Sequence, residues 1–133
     1  MAFDTLDFHT GNVLKRHCYL NALSFLRANR NQPWRMVHGI VHPDVGEAAG
    51  QAMAHAWTEI EHEGRTVVYD PSIALLVEGD VYRARLGVEH AVGYTLEEVE
   101  RLVQGTGHCG PWDEAVSAAL HAVRRGAGKT PRT

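Results

Sequence analysis

Residues 54–70 constrain the fold of this chain more than any other segment, because they have the pattern of a β-hairpin. Two runs with strand character, at 54–61 and 65–70, flank the short turn His62-Glu63-Gly64. Two such runs around a short turn that contains glycine indicate paired antiparallel strands. The sequence therefore predicts an antiparallel sheet in the middle of the chain.

The segment before the hairpin predicts one helix and one further strand. Apolar residues recur with helical spacing from about His17 to Asn29. Pro33 ends this helix, because proline disfavours helical backbone in the residue before it. Residues 34–42 then alternate like a strand, and the loop at 43–50 contains proline, aspartate and two glycines.

The segment after the hairpin predicts more strand and then helices. Residues 73–77 form a short apolar run, and residues 81–88 have the pattern of a strand. The capping box Thr95-Leu96-Glu97-Glu98 begins a helix to about Val103. Pro111 lies near the start of a last helix. A helix first, a sheet in the middle and helices last predict an α+β fold.

The chain has 133 residues, a length that predicts one domain, which we place at residues 1–125. Residues 126–133 are rich in glycine and polar groups and predict a flexible basic tail, either a frayed terminus or an interaction arm. The last ten residues hold four of the 13 basic residues and no acid. The rest carries nine basic against sixteen acidic residues, which disfavours a broad nucleic-acid surface.

The N-terminus and the cysteine count predict a cytoplasmic protein with reduced thiols. Residues 1–7 lack the basic start and apolar run of a signal peptide, and no stretch approaches the ~20 apolar residues of a membrane span. Two cysteines cannot make a disulfide-dense scaffold or a four-cysteine zinc site. If cysteine matters here, it matters as a thiol.

Three residues form a candidate catalytic triad: Cys18, His55 and Asp70. Cys18 falls at the start of the predicted first helix, where the helix dipole and unpaired N–H groups favour a thiolate. His55 and Asp70 lie on the two arms of the hairpin. A two-residue loop at 62–63 pairs them directly, and a three-residue loop places them one step apart, so we expect their side chains to meet.

Each residue of the triad has a chemical role in this hypothesis. The Cys18 thiolate is the nucleophile, His55 moves its proton, and Asp70 orients the imidazole. The backbone N–H of Cys18 or the side-chain amide of Asn12 is a candidate donor to an oxyanion. Trp57 points to the same side of its strand as His55, either as a wall of the site that excludes water or as an ordinary core residue.

These segments resemble a known superfamily. The runs His55-Ala56-Trp57-Thr58-Glu59 and Asp70-Pro71-Ser72 look like the His and Asp strands of transglutaminase-like proteins, and Cys18-Tyr19-Leu20-Asn21-Ala22 fits their cysteine helix. The order Cys, His, Asp is also that of papain-like proteins, in which a glutamine precedes the cysteine by six residues, where Asn12 stands here.

The resemblance implies a papain/transglutaminase-like fold, in which an N-terminal helix bearing the cysteine packs on a small antiparallel sheet, with helices after it. It also implies a thiol-dependent amide hydrolase or acyltransferase that acts through a thioester. The implied partner is a peptide or another amide-containing substrate, proteins included, without a nucleic acid, a membrane or a cofactor.

Two alternatives remain open from the sequence. The first is a binding or structural domain that keeps this fold without turnover. The second is a metal protein that uses His38, His42 and His55 or the pair His108-Cys109, but these residues lack compact ligand spacing, so we predict no metal. Cys109 also precedes a helix and is a rival nucleophile, although no histidine partner is evident for it.

Overall fold

The computed structural model describes the backbone of residues 12–43 and 51–129 and the side chains of 17–43 and 51–122. Within these residues the chain forms four helices and five strands. In chain order they are α1 (Asn12–Ala28), β1 (Arg35–Val41), β2 (Met53–His62), β3 (Arg65–Asp70), β4 (Leu75–Glu78), α2 (Gly79–Leu86), β5 (His90–Thr95), α3 (Leu96–Thr106) and α4 (Glu114–Lys129).

The strands form one antiparallel sheet in the order β4-β3-β2-β1-β5. The predicted hairpin supplies β2 and β3, and β2 lies at the centre of the sheet. This arrangement of helices and antiparallel strands confirms the α+β class.

Different helices cover the two faces of this sheet. On one face, which we name the α1 face, Ala56 packs with Cys18 and Leu23 of α1, and Ala54 packs with Val116 of α4. On the other, the α2 face, two side chains of β2 pack against two side chains of α2: Met53, Trp57, Tyr82 and Leu86. Successive residues of β2 therefore alternate between two separate cores, and seven consecutive residues of this strand are buried.

The predicted strand at 81–88 is wrong, because these residues belong largely to helix α2. Their alternation of apolar and polar residues also fits a helix, since Tyr82 and Leu86 are one turn apart and both are buried. Gly87 ends the helix in a left-handed conformation with φ 55°, which glycine adopts readily. The edge strand β5 has no counterpart among the elements predicted from the sequence.

The two C-terminal helices differ from their predicted bounds. Thr95 and Glu98 make both hydrogen bonds of the predicted capping box, and α3 continues to Thr106. Helix α4 begins at Glu114, three residues after Pro111, and the Asp113 carboxylate accepts from the N–H of Val116. None of the described helices is long and apolar enough to cross a membrane.

The structure describes only part of the predicted tail 126–133. Helix α4 runs on to Lys129, so the first four residues of the predicted tail 126–133 are helical. Residues 130–133 lie outside the described residues. Alanine, arginine and lysine in the last turns of α4 favour the helix, which explains its continuation past the two glycines of this stretch.

Candidate active site

The turn Glu63-Gly64 sets the register of the hairpin. His62 pairs with Arg65 and Thr58 with Tyr69, so the loop has two residues, and both have positive φ angles of 52° and 78°. Such a turn matches the twist of the flanking strands and favours glycine in its second position. Both predicted registers are therefore wrong. Continuing the observed register places Asp70 opposite Trp57, with His55 two residues further along β2.

The His55 and Asp70 side chains nevertheless meet, because they lie on the same face as diagonal neighbours. Diagonal positions of an antiparallel pair are within reach of long side chains. The distance from His55 Nε2 to Asp70 Oδ2 is 2.7 Å, and both side chains are buried. The hairpin thus brings the imidazole and the carboxylate into contact.

The sequence predicted that Cys18 lies at the start of a helix, and this prediction is wrong. Helix α1 begins at Asn12, so Cys18 is its seventh residue. The field of a helix terminus fades within the first turn, and an N–H this far inside a helix is bonded to a carbonyl four residues earlier. Neither the helix dipole nor the Cys18 N–H is therefore available to the thiol or to an oxyanion.

Helix α1 brings Cys18 to His55 at a gap in the sheet. Strand β3 ends at Asp70, two residues short of the position that would pair with His55. Helix α1 lies beside this gap, because the Asn21 amide is 3.4 Å from the Ser72 hydroxyl. One helical turn before Asn21, the Cys18 thiol lies within hydrogen-bonding reach of His55. The structure thus brings all three predicted triad residues together.

The charges around His55 favour its protonated form. Burial opposes a charged imidazole and by itself lowers the pKa of His55, but the Asp70 carboxylate and the Cys18 thiol act in the opposite direction by charge and by hydrogen bonding. Their combined effect raises the pKa of His55 well above its usual value. An imidazolium held between a carboxylate and a thiol is the state from which a thiolate acts as a nucleophile.

Two further groups hold the Asp70 carboxylate. The Tyr82 hydroxyl of α2 donates to Oδ2 at 2.7 Å, and the Ser72 N–H donates to Oδ1 at 3.0 Å. Buried carboxylates need such donors, because a charge without them is costly to remove from water. Tyr82 was not predicted as a site residue. The sequence predicted a strand at 81–88, whereas the Tyr82 side chain reaches Asp70 from a helix.

Trp57 stacks beside His55 with 5.9 Å between ring centroids. Its indole N–H donates to Glu59 Oε2 at 2.9 Å, and Arg83 of α2 donates to the same oxygen at 2.6 Å. Trp57 is therefore both a wall beside the imidazole and a fully buried core residue. Glu59 and Arg83 were not predicted to contact Trp57. The contact with Glu59 could have been predicted, because Trp57 and Glu59 are two residues apart on one strand and therefore share a face.

The triad is closed to solvent in this structure. Cys18 and Asp70 are 0% exposed and His55 is 3% exposed. A surface groove of about 460 Å³ lies at the other end of β2, beside Trp34, Arg35 and Glu61. None of the side chains that line this groove belongs to Cys18, His55 or Asp70.

The other candidate residues from the sequence do not join Cys18, His55 and Asp70 in this structure, or their side chains are outside the described residues. Asn12 begins α1, and its side chain is outside the described residues. Cys109 is partly buried and packs against the same core as Cys18. His42 contacts Glu89, whereas His38 is buried among aromatic rings. Among the side chains of residues 17–43 and 51–122, no three of His, Cys, Asp or Glu come together as metal ligands.

Comparison of the chain with protein-family models, with curated proteins and with solved structures finds no match. The contacts within the site, and the resemblance of the three short segments that contain Cys18, His55 and Asp70, are therefore the observations that bear on function.

Proposed function

We propose that this protein is a thiol-dependent amide hydrolase or acyltransferase with a papain/transglutaminase-like fold. The observation that carries the proposal is the continuous line of contacts from the Cys18 thiol through His55 to Asp70. The local order of the elements supports it, because a helix supplies the cysteine and two adjacent strands supply the histidine and aspartate. A His–Asp pair next to a thiol is one of the arrangements by which proteins activate a nucleophilic cysteine.

In the proposed reaction, the Cys18 thiolate attacks the carbonyl carbon of an amide, and a sulfur–carbon bond forms. Because Asp70 binds Nε2 of His55, Nδ1 is the ring nitrogen that remains for the thiol and the leaving group. The imidazolium gives its proton to the departing amine as the carbon–nitrogen bond breaks. Water or an acceptor amine then gives a proton to His55 and attacks the thioester, which releases Cys18.

The substrate in this proposal is a peptide or another amide-containing molecule, proteins included. The proposed reaction requires no cofactor, and we propose no nucleic-acid or membrane partner for the protein. We propose a cytoplasmic location, which fits two cysteines that form no disulfide bond.

An activated ester tests the proposed chemistry without knowledge of the substrate. We expect p-nitrophenyl acetate to acetylate Cys18 in a Cys109→Ala protein, with release of p-nitrophenolate and one added acetyl group by mass. The reaction should be faster than with a free thiol of a small peptide. In His55→Gln it should slow by about 100-fold or more, because the thiolate then lacks its proton partner.

The matched control is Cys18→Ala, which retains Cys109 as its only thiol. Circular dichroism of each variant verifies that it is folded. If Cys18 reacts no faster than the peptide thiol, or if folded His55→Gln reacts as fast as the parent, the proposed function is wrong.

A non-catalytic binding domain is the second candidate, and the closed triad favours it. The two candidates differ in how Cys18 becomes accessible. A catalytic protein should react with iodoacetamide through local opening, at a rate that low urea concentrations leave unchanged. A domain whose triad is only structural should react in proportion to its globally unfolded fraction.

A further inference from the structure

Helix α2 holds the carboxylate that orients His55. Its Tyr82 hydroxyl donates to Asp70 Oδ2 at 2.7 Å, and the same oxygen lies 2.7 Å from His55 Nε2. Tyr82 is buried, and its ring packs against Trp57 with 5.2 Å between centroids. One side chain of α2 therefore contacts both residues that flank the imidazole.

The next residue of α2 holds the other side of the site. Arg83 donates to Glu59 Oε2, which also accepts the indole N–H of Trp57. Tyr82 and Arg83 thus fix Asp70 and Trp57 respectively, and these two residues determine where the His55 ring lies. A short helix of eight residues therefore contacts the Asp70 and Trp57 sides of the imidazole, whereas Cys18 comes from α1.

We propose that Tyr82 is a positioning residue that fixes the Asp70 carboxylate so that Oδ2 faces His55, an inference that rests on the proposed function. Ser72 binds Oδ1 from the β3–β4 connection, and Tyr82 binds Oδ2 from α2. Two donors from different elements prevent rotation of the carboxylate. Supports of this kind hold catalytic groups in productive geometry.

The Tyr82 hydroxyl also withdraws negative charge from the oxygen that His55 binds. Among the residues whose side chains the structure describes, the titratable groups that act on His55 are Asp70 from β3 and Cys18 from α1, and α2 contributes Tyr82 through its hydrogen bond to Asp70. Strand β1 contributes only Gly39 opposite it, and on β2 the nearest charge is Glu59 beyond Trp57. Loss of the hydroxyl should leave more charge on Asp70 and therefore favour the imidazolium further.

The test is the titration of the His55 imidazole by nitrogen NMR in Tyr82→Phe. We expect its midpoint to rise by about 0.5 pH unit or more relative to the parent. Tyr69→Phe is the matched control, because Tyr69 precedes Asp70 but packs against Phe25 on the α1 face. It should leave the midpoint unchanged.

Replacement of Tyr82 by difluorotyrosine keeps the shape of the side chain and makes its hydroxyl a stronger donor. This protein should show the opposite shift, a lower His55 midpoint, and it provides the test if Tyr82→Phe does not fold. An unchanged midpoint in a folded protein of either kind would overturn the role of Tyr82.

Acetylation of Cys18 by p-nitrophenyl acetate separates this inference from the proposed function. If Tyr82→Phe moves the His55 midpoint and Cys18 is not activated in any variant, the proposed function fails but the contact through Asp70 stands. If Cys18 is activated and neither its rate nor the midpoint changes in Tyr82→Phe, the proposed function stands and Tyr82 has no positioning role.

Discussion

His38 and His55 lie on neighbouring strands, and their surroundings affect them in opposite ways. His38 is fully buried against Tyr19, Tyr94 and Trp112, and neither of its ring nitrogens has a hydrogen-bond partner among the described residues. Burial lowers the pKa of His38 to about 3, with the Asp113 carboxylate acting in the opposite direction. His55, with a carboxylate and a thiol beside it, has a raised pKa instead.

His38 should make the protein less stable in acid. Its pKa is about 3 in the folded protein and near 6.5 after unfolding, so unfolding takes up a proton between these values. The free energy of unfolding therefore falls as the pH decreases below 6.5. Urea denaturation should show that His38→Phe removes about 2 kcal/mol of the loss between pH 7 and pH 5.

His62→Phe is the control for this prediction, because it also replaces a histidine by phenylalanine, but at a side chain that is 70% exposed. If His38→Phe and the parent protein lose the same stability between pH 7 and pH 5, then His38 is not held neutral in the fold.

The Trp57 ring lies so close to the backbone of β1 that it leaves no room for a side chain at Gly39. A Cβ atom on Gly39 would lie 2.6 Å from Trp57 Cη2 and 2.7 Å from the His90 carbonyl oxygen. Gly39 also pairs with His55 across the sheet. The absence of a side chain at this position therefore makes room for the wall beside the imidazole.

Gly39→Ala should destabilise the protein by about 1–3 kcal/mol, because the added methyl group must displace Trp57 or the β5 backbone. Gly93→Ala is the matched control in the neighbouring strand, since its Cβ would meet only Arg35 Nε at 4.0 Å. Chemical denaturation of the two variants measures the difference. Equal stability of both variants would contradict this account of the packing.

Local signals predicted the hairpin and the capping box, but not the exact register. The hairpin follows from two strand-like runs and a glycine, all within 17 residues. Its register depends on which residues between His62 and Gly64 form the loop, and the sequence left this open. Helix α2 was not predicted, because apolar and polar residues alternate over 81–88 as in a strand. The helical spacing of Tyr82 and Leu86 in the same stretch did not decide between the two.

At the scale of the whole molecule, the site depends on contacts between distant parts of the chain. Cys18 and His55 are separated by 36 intervening residues, and α1 meets the hairpin only where β3 ends. The sequence predicted the identity of the three residues, because each stands in a recognisable segment. It could not predict the burial of the thiol, which arises from packing between α1 and the sheet, and it placed the start of α1 at about His17 rather than at Asn12.

The titration of His55 in the intact protein tests most directly whether Cys18, His55 and Asp70 act as one unit. Nitrogen NMR should find a midpoint well above 6.5, because the carboxylate and the thiol together outweigh burial. Cys18→Ala should lower that midpoint, since one of the two stabilising partners is lost, and Cys109→Ala should leave it unchanged. A midpoint near 6.5 in the parent protein, or one that Cys18→Ala does not move, would contradict the proposed triad.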